Sequence, residues 1–148
     1  MTKAEKYKLT DETKWHDGVT LHRIQALKDF ADVKAGDLGG WIELEENLSQ
    51  EGDCWVYGNA KVYGIGLVYD NAKVLDNASV FGRAVVYDDA KVSGNACVFG
   101  RALVFGNAHV FDNAQICGKA WVFGEARIYG DATVEGDAKF GSESKIRF

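Results

Sequence analysis

From Trp55 onward, a six-residue unit recurs along the chain without insertion or deletion. It begins as W-V-Y-G-N-A, K-V-Y-G-I-G, L-V-Y-D-N-A and ends as R-I-Y-G-D-A, T-V-E-G-D-A, K-F-G-S-E-S. A fixed short period is typical of solenoid proteins, in which a unit buries its apolar residues only by stacking on its neighbours. The repeat therefore predicts that most of the chain forms one elongated stack of short units.

Each position of the unit has its own chemistry. The second position is Val or Ile from Val56 to Val134, and the sixth is Ala in nearly every unit. Positions four and five hold mostly Gly, Asp or Asn, which tolerate left-handed backbone conformations or form hydrogen bonds within a turn. Each unit is therefore predicted to be a short strand with an inward aliphatic residue, followed by a corner with a small residue inside.

A branched residue followed four positions later by a small one resembles the hexapeptide pattern of left-handed parallel β-helices, in which three units form one triangular coil. Columns of residues eighteen apart should then share chemistry, and Asn59, Asn77 and Asn95 do so. So do Gly64, Gly82, Gly100 and Gly118 at another corner. The predicted fold is all-β: a left-handed parallel β-helix of hexapeptide repeats with about 18 residues per coil.

The N-terminal third lacks the repeat. Residues 6–10 and 19–26 are predicted to form two strands around Asp17-Gly18, which is a hairpin turn signal. We predict an N-terminal β-hairpin cap over residues 1–35 and the β-helix over residues 36–148. Trp15, Leu21, Ile24 and Leu27 are expected to cover an apolar surface, since an open coil end exposes strand edges that promote aggregation.

Four segments carry a further resemblance: L-T-D-E-T-K at 9–14, L-H-R-I-Q-A-L-K-D-F at 21–30, G-D-L-G-G-W-I-E at 36–43 and E-E-N-L-S at 45–49. Together with the repeats, they make the chain similar to a group of enterobacterial and prophage hexapeptide-repeat proteins. Some members are called transferases because acyltransferases share the β-helix, which is an analogy of fold and not of chemistry. The resemblance implies a viral protein in a bacterial host cell, and a prophage origin would allow a role against host defences.

Composition limits the classes of function. The net charge of −5 argues against general nucleic-acid binding and membrane-surface binding, and no apolar run approaches the length of a membrane span. We therefore expect a cytoplasmic protein. The three cysteines are too few and too irregular for a disulfide framework or a metal site, and no cofactor is predicted.

The search for chemistry leads to one outward column of side chains. Hexapeptide acyltransferases typically use a histidine as general base, together with loops inserted between coils, and this chain has no such loops. His109 is the only histidine within the repeats, and we predict no catalytic residue. It lies in a column that is either an ordinary solvated surface or a site for an anion such as phosphate. The residues predicted to bind ligand are Lys73, Lys91, His109, Arg127, Asn77, Asn95, Trp55 and Tyr57.

The third face of the predicted prism has no polar outward residue across four coils. Its members are Leu67, Tyr69, Val85, Tyr87, Leu103, Phe105, Trp121 and Phe123. So large an apolar patch is rarely left exposed on a monomer, so either the hairpin or a second subunit should cover it. Basic residues on one edge (Arg83, Arg101, Lys119) and acidic residues on the other favour a parallel homodimer or homotrimer.

These observations favour a non-catalytic homo-oligomer that binds a small anionic, nucleotide-like ligand in grooves between subunits. A prophage product that sequesters a host signalling molecule would fit this description. Two alternatives remain: a hexapeptide-type acyltransferase using His109 or His22, and a structural scaffold with no ligand.

Overall fold

The computed structural model describes residues 5–141 and 145–147, which form an all-β protein without an α-helix. The strands form three sheets of eight, six and five strands. These sheets are the faces of a β-solenoid of about six stacked coils. This confirms the predicted parallel β-helix of hexapeptide repeats. The left-handed sense of the coil stays a prediction, supported by the hexapeptide pattern.

The first three strands are long, and the later ones are short. The first are β1 (Tyr7–His16), β2 (Val19–Ala26) and β3 (Leu38–Ile42), followed by one 3-10 turn, Glu45–Asn47. The remaining strands are β4 (Trp55–Val56), β5 (Lys61–Val62), β6 (Leu67–Val68), β7 (Lys73–Val74), β8 (Ser79–Val80), β9 (Val85–Val86), β10 (Lys91–Val92), β11 (Cys97–Val98), β12 (Leu103–Val104), β13 (His109–Val110), β14 (Gln115–Ile116), β15 (Trp121–Val122), β16 (Arg127–Tyr129), β17 (Thr133–Val134), β18 (Lys139–Phe140) and β19 (Lys145–Arg147).

Strand pairing repeats every eighteen residues, as predicted. Within the solenoid, each strand pairs in parallel with the strand three units later, for example Lys91 with His109 and Val92 with Val110. The inward Val and Ile side chains from Val56 to Ile128 are completely or almost completely buried. The inward residues of each face therefore form continuous aliphatic columns, whereas the outward columns also pair unlike residues, such as Trp55 with Lys73.

The corners explain the Gly and Asp residues at position four. Glycines such as Gly94 and Gly106 have φ values of 62° and 67°, and Asp76 and Asp88 adopt the same left-handed region. Each of these aspartates also accepts a hydrogen bond from the main-chain N–H of the next coil, at 2.9 Å for Asp76 and Gly94 and 3.0 Å for Asp88 and Gly106. An Asp at a corner therefore offsets the strain of its left-handed backbone by accepting a hydrogen bond from the main-chain amide of the next coil.

The N-terminal hairpin continues one sheet past the first coil. Strand β1 pairs antiparallel with β2, β2 pairs antiparallel with β3, and β3 pairs in parallel with β5. Strand β1 is longer than the predicted segment 6–10 because it runs on to the turn at Asp17-Gly18 through an irregularity between Leu9 and Thr13. The hairpin therefore lies at the end of the eight-stranded sheet, away from the apolar face of the five-stranded sheet.

Side chains from the N-terminal segment seal the first coil. Tyr7 and Phe30 contact the ring of Trp55 edge-on, with centroids 6.1 and 5.2 Å away. Lys6 is also buried, and its ammonium group donates hydrogen bonds to the carbonyl oxygens of Gly52 and Cys54 at 3.2 and 2.7 Å. Burial lowers the pKa of Lys6. These non-repetitive contacts form the end of the hydrophobic core.

Only part of the predicted covering set is buried. Leu21 and Ile24 are fully buried, as expected, whereas Trp15 and Leu27 are 73% and 44% exposed. Ile24 points from β2 into the core of the coils, whereas Leu21 lies on the opposite face of the strand and packs against Trp41 and Tyr63. Trp15 lies next to the hairpin turn, where its neighbours His16 and Asp17 contact Tyr63 while its own ring faces solvent. The prediction was therefore wrong for Trp15 and Leu27.

Candidate functional site

The outward column that contains Lys73, Lys91, His109 and Arg127, here called the basic column, lies on the six-stranded sheet. This sheet contains β4, β7, β10, β13, β16 and β19. Lys73, Lys91, His109 and Arg127 occupy matching positions in consecutive strands and pair directly in the backbone register. A groove of about 940 Å³ runs beside the column and is lined by Asp89, Lys91, Asn107, Ala108, His109, Glu125 and Arg127. Three members of the predicted ligand-binding set therefore line one concave surface.

His109 is the most constrained side chain of this groove. Its Nε2 lies 3.0 Å from the hydroxyl oxygen of Ser93, and its ring is 4.4 Å from the ring of Phe111. Burial lowers the pKa of His109, and the neighbouring charges of Lys91 and Arg127 lower it further. We therefore expect a neutral imidazole at neutral pH, held in place by a hydroxyl and an aromatic ring.

Lys91 and Arg127 are exposed, and within residues 5–141 neither forms an ion pair with a carboxylate. The carboxylates of Asp89 and Glu125 line the same groove without reaching ion-pair distance. The two cations thus keep their hydrogen-bonding capacity toward a ligand. Such a site favours an anion that can accept charge-assisted hydrogen bonds from both side chains.

A second groove, of about 740 Å³, lies on the other side of the basic column. Lys73, Lys91, Asn77, Asn95 and Tyr57 of the predicted set line it, so Lys91 borders both grooves. The phenol of Tyr57 donates a hydrogen bond of 2.8 Å to Asp32, which ties residues before the first coil to this groove. Burial and the bond to Asp32 raise the pKa of Tyr57.

Trp55 does not belong to either groove. Only 1% of its surface is exposed, and it packs under Tyr7 and Phe30 as part of the cap. It occupies an outward position of the repeat, as predicted, but residues outside the repeat cover it. The six-residue pattern carries no information on this covering, so the structure corrects the assignment of Trp55 to a surface ligand site.

Several residues of the first groove escaped prediction from the sequence. Ser93, Asn107 and Phe111 flank His109 or its groove, but none of them occupies the first position of the repeat, where His109 lies. The available signal was Ser93, a hydroxyl two positions after Lys91 where other units mostly carry large apolar residues. Such a departure from the repeat indicates a local role, here a hydrogen bond to the histidine of the next coil.

The eight apolar residues of the predicted interface belong to the five-stranded sheet or to the position just after its strands, and Arg83, Arg101 and Lys119 lie at the corner before the strands. Tyr69, Tyr87, Phe105 and Phe123 form one stacked ladder with ring centroids 5.0 to 5.2 Å apart. Leu67, Val85 and Leu103 are half-buried, and Trp121 is 38% exposed. The face is therefore as apolar as predicted, while the assembly itself stays a prediction.

Comparisons with known proteins agree with this architecture. A family model for the YdcK β-solenoid repeat matches residues 126–138. The chain is a hexapeptide-repeat β-helix protein. It is also 41% identical, over an alignment of 78 residues, to a protein of Escherichia coli (strain K12) described as "Uncharacterized acetyltransferase YdcK". That alignment covers 47% of this chain and 24% of the relative, so the chain spans about a quarter of the relative's length.

This hexapeptide-repeat protein has an uninterrupted solenoid over its described coils. The repeat runs from Trp55 to Gly141 without an inserted loop, so strand and corner side chains alone line the first groove, and the second groove adds only Asp32 from outside the repeat. Within the described residues, no group of three or more His, Cys, Asp or Glu side chains is placed to hold a metal ion. Nor does any helix in residues 5–141 or 145–147 have the length and apolarity needed to cross a membrane.

Proposed function

We propose that this hexapeptide-repeat protein is a non-catalytic binding protein for a small anionic, nucleotide-like ligand. The observation that supports this most directly is the position of Lys91 and Arg127 on either side of His109 above one groove, with no ion pair to a described carboxylate. Asn107 adds an amide that can bind the uncharged part of such a ligand. Sequestration by a prophage product needs such a site and no catalytic group.

We expect replacement of both Lys91 and Arg127 by alanine to abolish anion binding. Each hydrogen bond to a charged group contributes about 1.5–3 kcal/mol, so losing two should weaken binding by a factor of about 100 or more. Calorimetric titration with pyrophosphate and with adenosine diphosphate measures this directly. The matched control is Lys8→Ala with Lys61→Ala, which removes the same charge from other parts of the chain.

The outcome of that titration decides the proposal. Equal weakening by the control pair would show nonspecific attraction to positive charge, which contradicts a defined site. If the unmodified protein binds neither probe at millimolar concentration and transfers no acyl group, the scaffold alternative is the better description.

The second candidate function is acyl transfer, favoured by two observations. The Escherichia coli relative is described as an acetyltransferase, and His109 has the lowered pKa and nearby hydroxyl expected of a general base. In this reading, neutral His109 would remove a proton from the acceptor amine or hydroxyl. Loss of activity in His109→Ala would support it, provided that transfer from acetyl coenzyme A is detected in the unmodified protein.

The two candidates predict opposite responses to pH. The pKa of His109 is lowered from 6.5, so the ring gains its proton only as the pH falls below that value. Protonation adds a third positive charge to the groove and should strengthen anion binding several-fold, whereas it removes the general base and should slow acyl transfer. We expect the affinity ratio of the unmodified protein to His109→Gln to rise on acidification, because both proteins bind the same protonation state of the probe and only one has the imidazole. The same titration calorimetry, repeated between pH 8 and 5, checks this.

A further inference from the structure

Within the described chain, no other layer covers the apolar face of the five-stranded sheet, and only the ammonium group of Lys139 lies over the ring of Trp121, at 4.4 Å. The strand order of this sheet is β18-β15-β12-β9-β6. The N-terminal hairpin belongs to the eight-stranded sheet instead. The half-exposed core of the apolar face includes Leu103, Phe105 and Trp121. The hairpin extends the eight-stranded sheet at the end of the prism, so it does not cover the apolar face.

The two edges of this face carry opposite charge. The corner before the strands presents Arg83, Arg101 and Lys119, all exposed, and the corner after them presents the carboxylates of Asp88, Asp89 and Glu125. We call these the basic edge and the acidic edge. The opposite charges at the two ends of β9 and β15, together with Arg101 before β12, give the face a fixed electrostatic direction.

The basic edge also presents unused hydrogen-bond donors. The main-chain N–H groups of Gly82, Gly100 and Gly118 have no acceptor within the described residues. At the first coil of the same column, the N–H of Gly64 donates a 2.9 Å hydrogen bond to the carboxylate of Glu43. The chain itself thus shows that this corner binds a carboxylate where one is supplied.

We propose that a second copy of this chain covers the apolar face, with the two coil axes parallel and related by a two-fold rotation along that direction. The rotation places the basic edge of each copy against the acidic edge of the other, where carboxylates meet both the cations and the free N–H groups. An antiparallel pair would place like edges together. A threefold arrangement about the same direction would also set basic edges against acidic edges, but it would hold the three flat faces apart around the axis. A two-fold pair lays the two faces against each other over their whole area.

This interface would also complete the groove beside the basic column. Asp89 and Glu125 belong to the acidic edge and line that groove at the same time. In the pair, Arg83 and Lys119 of the second copy come to the rim of the groove and neutralise those carboxylates. The pairing does not depend on a ligand, so it stands or falls separately from the proposed binding function.

Sedimentation equilibrium tests the apolar part of the proposal. We expect the unmodified protein to have twice the mass of one chain, and Phe105→Glu with Trp121→Glu to be monomeric, with association weakened by a factor of about 100 or more. The matched control is Phe99→Glu with Gln115→Glu, which occupies the same positions of the repeat on the eight-stranded sheet. It should remain dimeric. A monomeric or trimeric unmodified protein, or a dimer that survives the first double change, overturns the proposal.

The orientation is tested by salt and by charge reversal. For the parallel pair, raising sodium chloride from about 0.05 to 0.5 M should weaken association, because the opposed edges attract. In Arg83→Glu with Arg101→Glu and Lys119→Glu, acidic edges face each other, so the dimer should weaken by about tenfold or more and recover with added salt. These side chains are exposed, so the variant tests the interface even if the aromatic variant fails to fold. Association that strengthens with salt in the unmodified protein would overturn the parallel arrangement.

Discussion

Replacement of Trp55 by alanine is expected to lower the free energy of unfolding by about 3–5 kcal/mol, the usual cost of truncating a buried tryptophan. Its ring is 1% exposed and joins Tyr7 and Phe30 of the N-terminal segment to the first coil. Without it, the cap loses its central contact and the end of the core opens to water. Urea denaturation followed by far-ultraviolet circular dichroism measures the change.

Trp15→Ala is the matched control, because it makes the same change at a side chain that is 73% exposed. We expect its effect to stay within about 0.5 kcal/mol. Since the end strands of a solenoid lose their protection first, Trp55→Ala should also promote aggregation through the uncovered coil edge. Equal effects of the two substitutions would contradict the role of Trp55 in sealing the core.

Gly118→Ala is expected to cost about 3 kcal/mol, whereas Gly136→Ala should cost only about 1–2 kcal/mol. Both glycines have a left-handed backbone, with φ of 66° and 67°. A Cβ atom at Gly118 would lie 2.6 Å from the main-chain nitrogen of Gly136, while a Cβ at Gly136 would have no atom within 4 Å. The difference between the two variants isolates the cost of crowding between stacked corners from the cost of the backbone conformation.

Gly58→Ala gives a second control at the other end of the solenoid, with φ of 54° and no atom within 4 Å of the added Cβ. It should resemble Gly136→Ala in urea denaturation. If all three variants lose the same stability, the corners relax freely and the close stacking of these glycines contributes nothing of its own. A larger loss in Gly118→Ala alone supports the stacked geometry.

The accuracy of prediction from sequence differs between the repeat and the N-terminal segment. In the repeat, the inward column, the corner glycines and the eighteen-residue register were all predicted, because periodic local chemistry determines them. In the N-terminal segment, the hairpin turn at Asp17-Gly18 was predicted, whereas the length of β1 and the exposure of Trp15 were not. No period relates this segment to the coils, so the sequence alone does not reveal its packing.

The candidate site shows the same division. The column of Lys73, Lys91, His109 and Arg127 was predicted, because a period of eighteen places these side chains above one another. The hydrogen bond between His109 and Ser93 was not, since it joins different positions of the repeat in adjacent coils. Contacts that cross between columns depend on side-chain rotamers, which a one-dimensional pattern does not encode.

The sequence by itself determined the coil length, the three faces and the chemistry of each column, because each unit contacts only its neighbours in the stack and obeys the same local rules. Only the tertiary structure decided that Trp55 lies under the cap and that the hairpin extends the eight-stranded sheet, leaving the apolar face open. These features depend on where a non-repetitive segment folds back in space. That choice is governed by packing between residues far apart in the chain, such as Phe30 against Trp55 and Lys6 against Cys54.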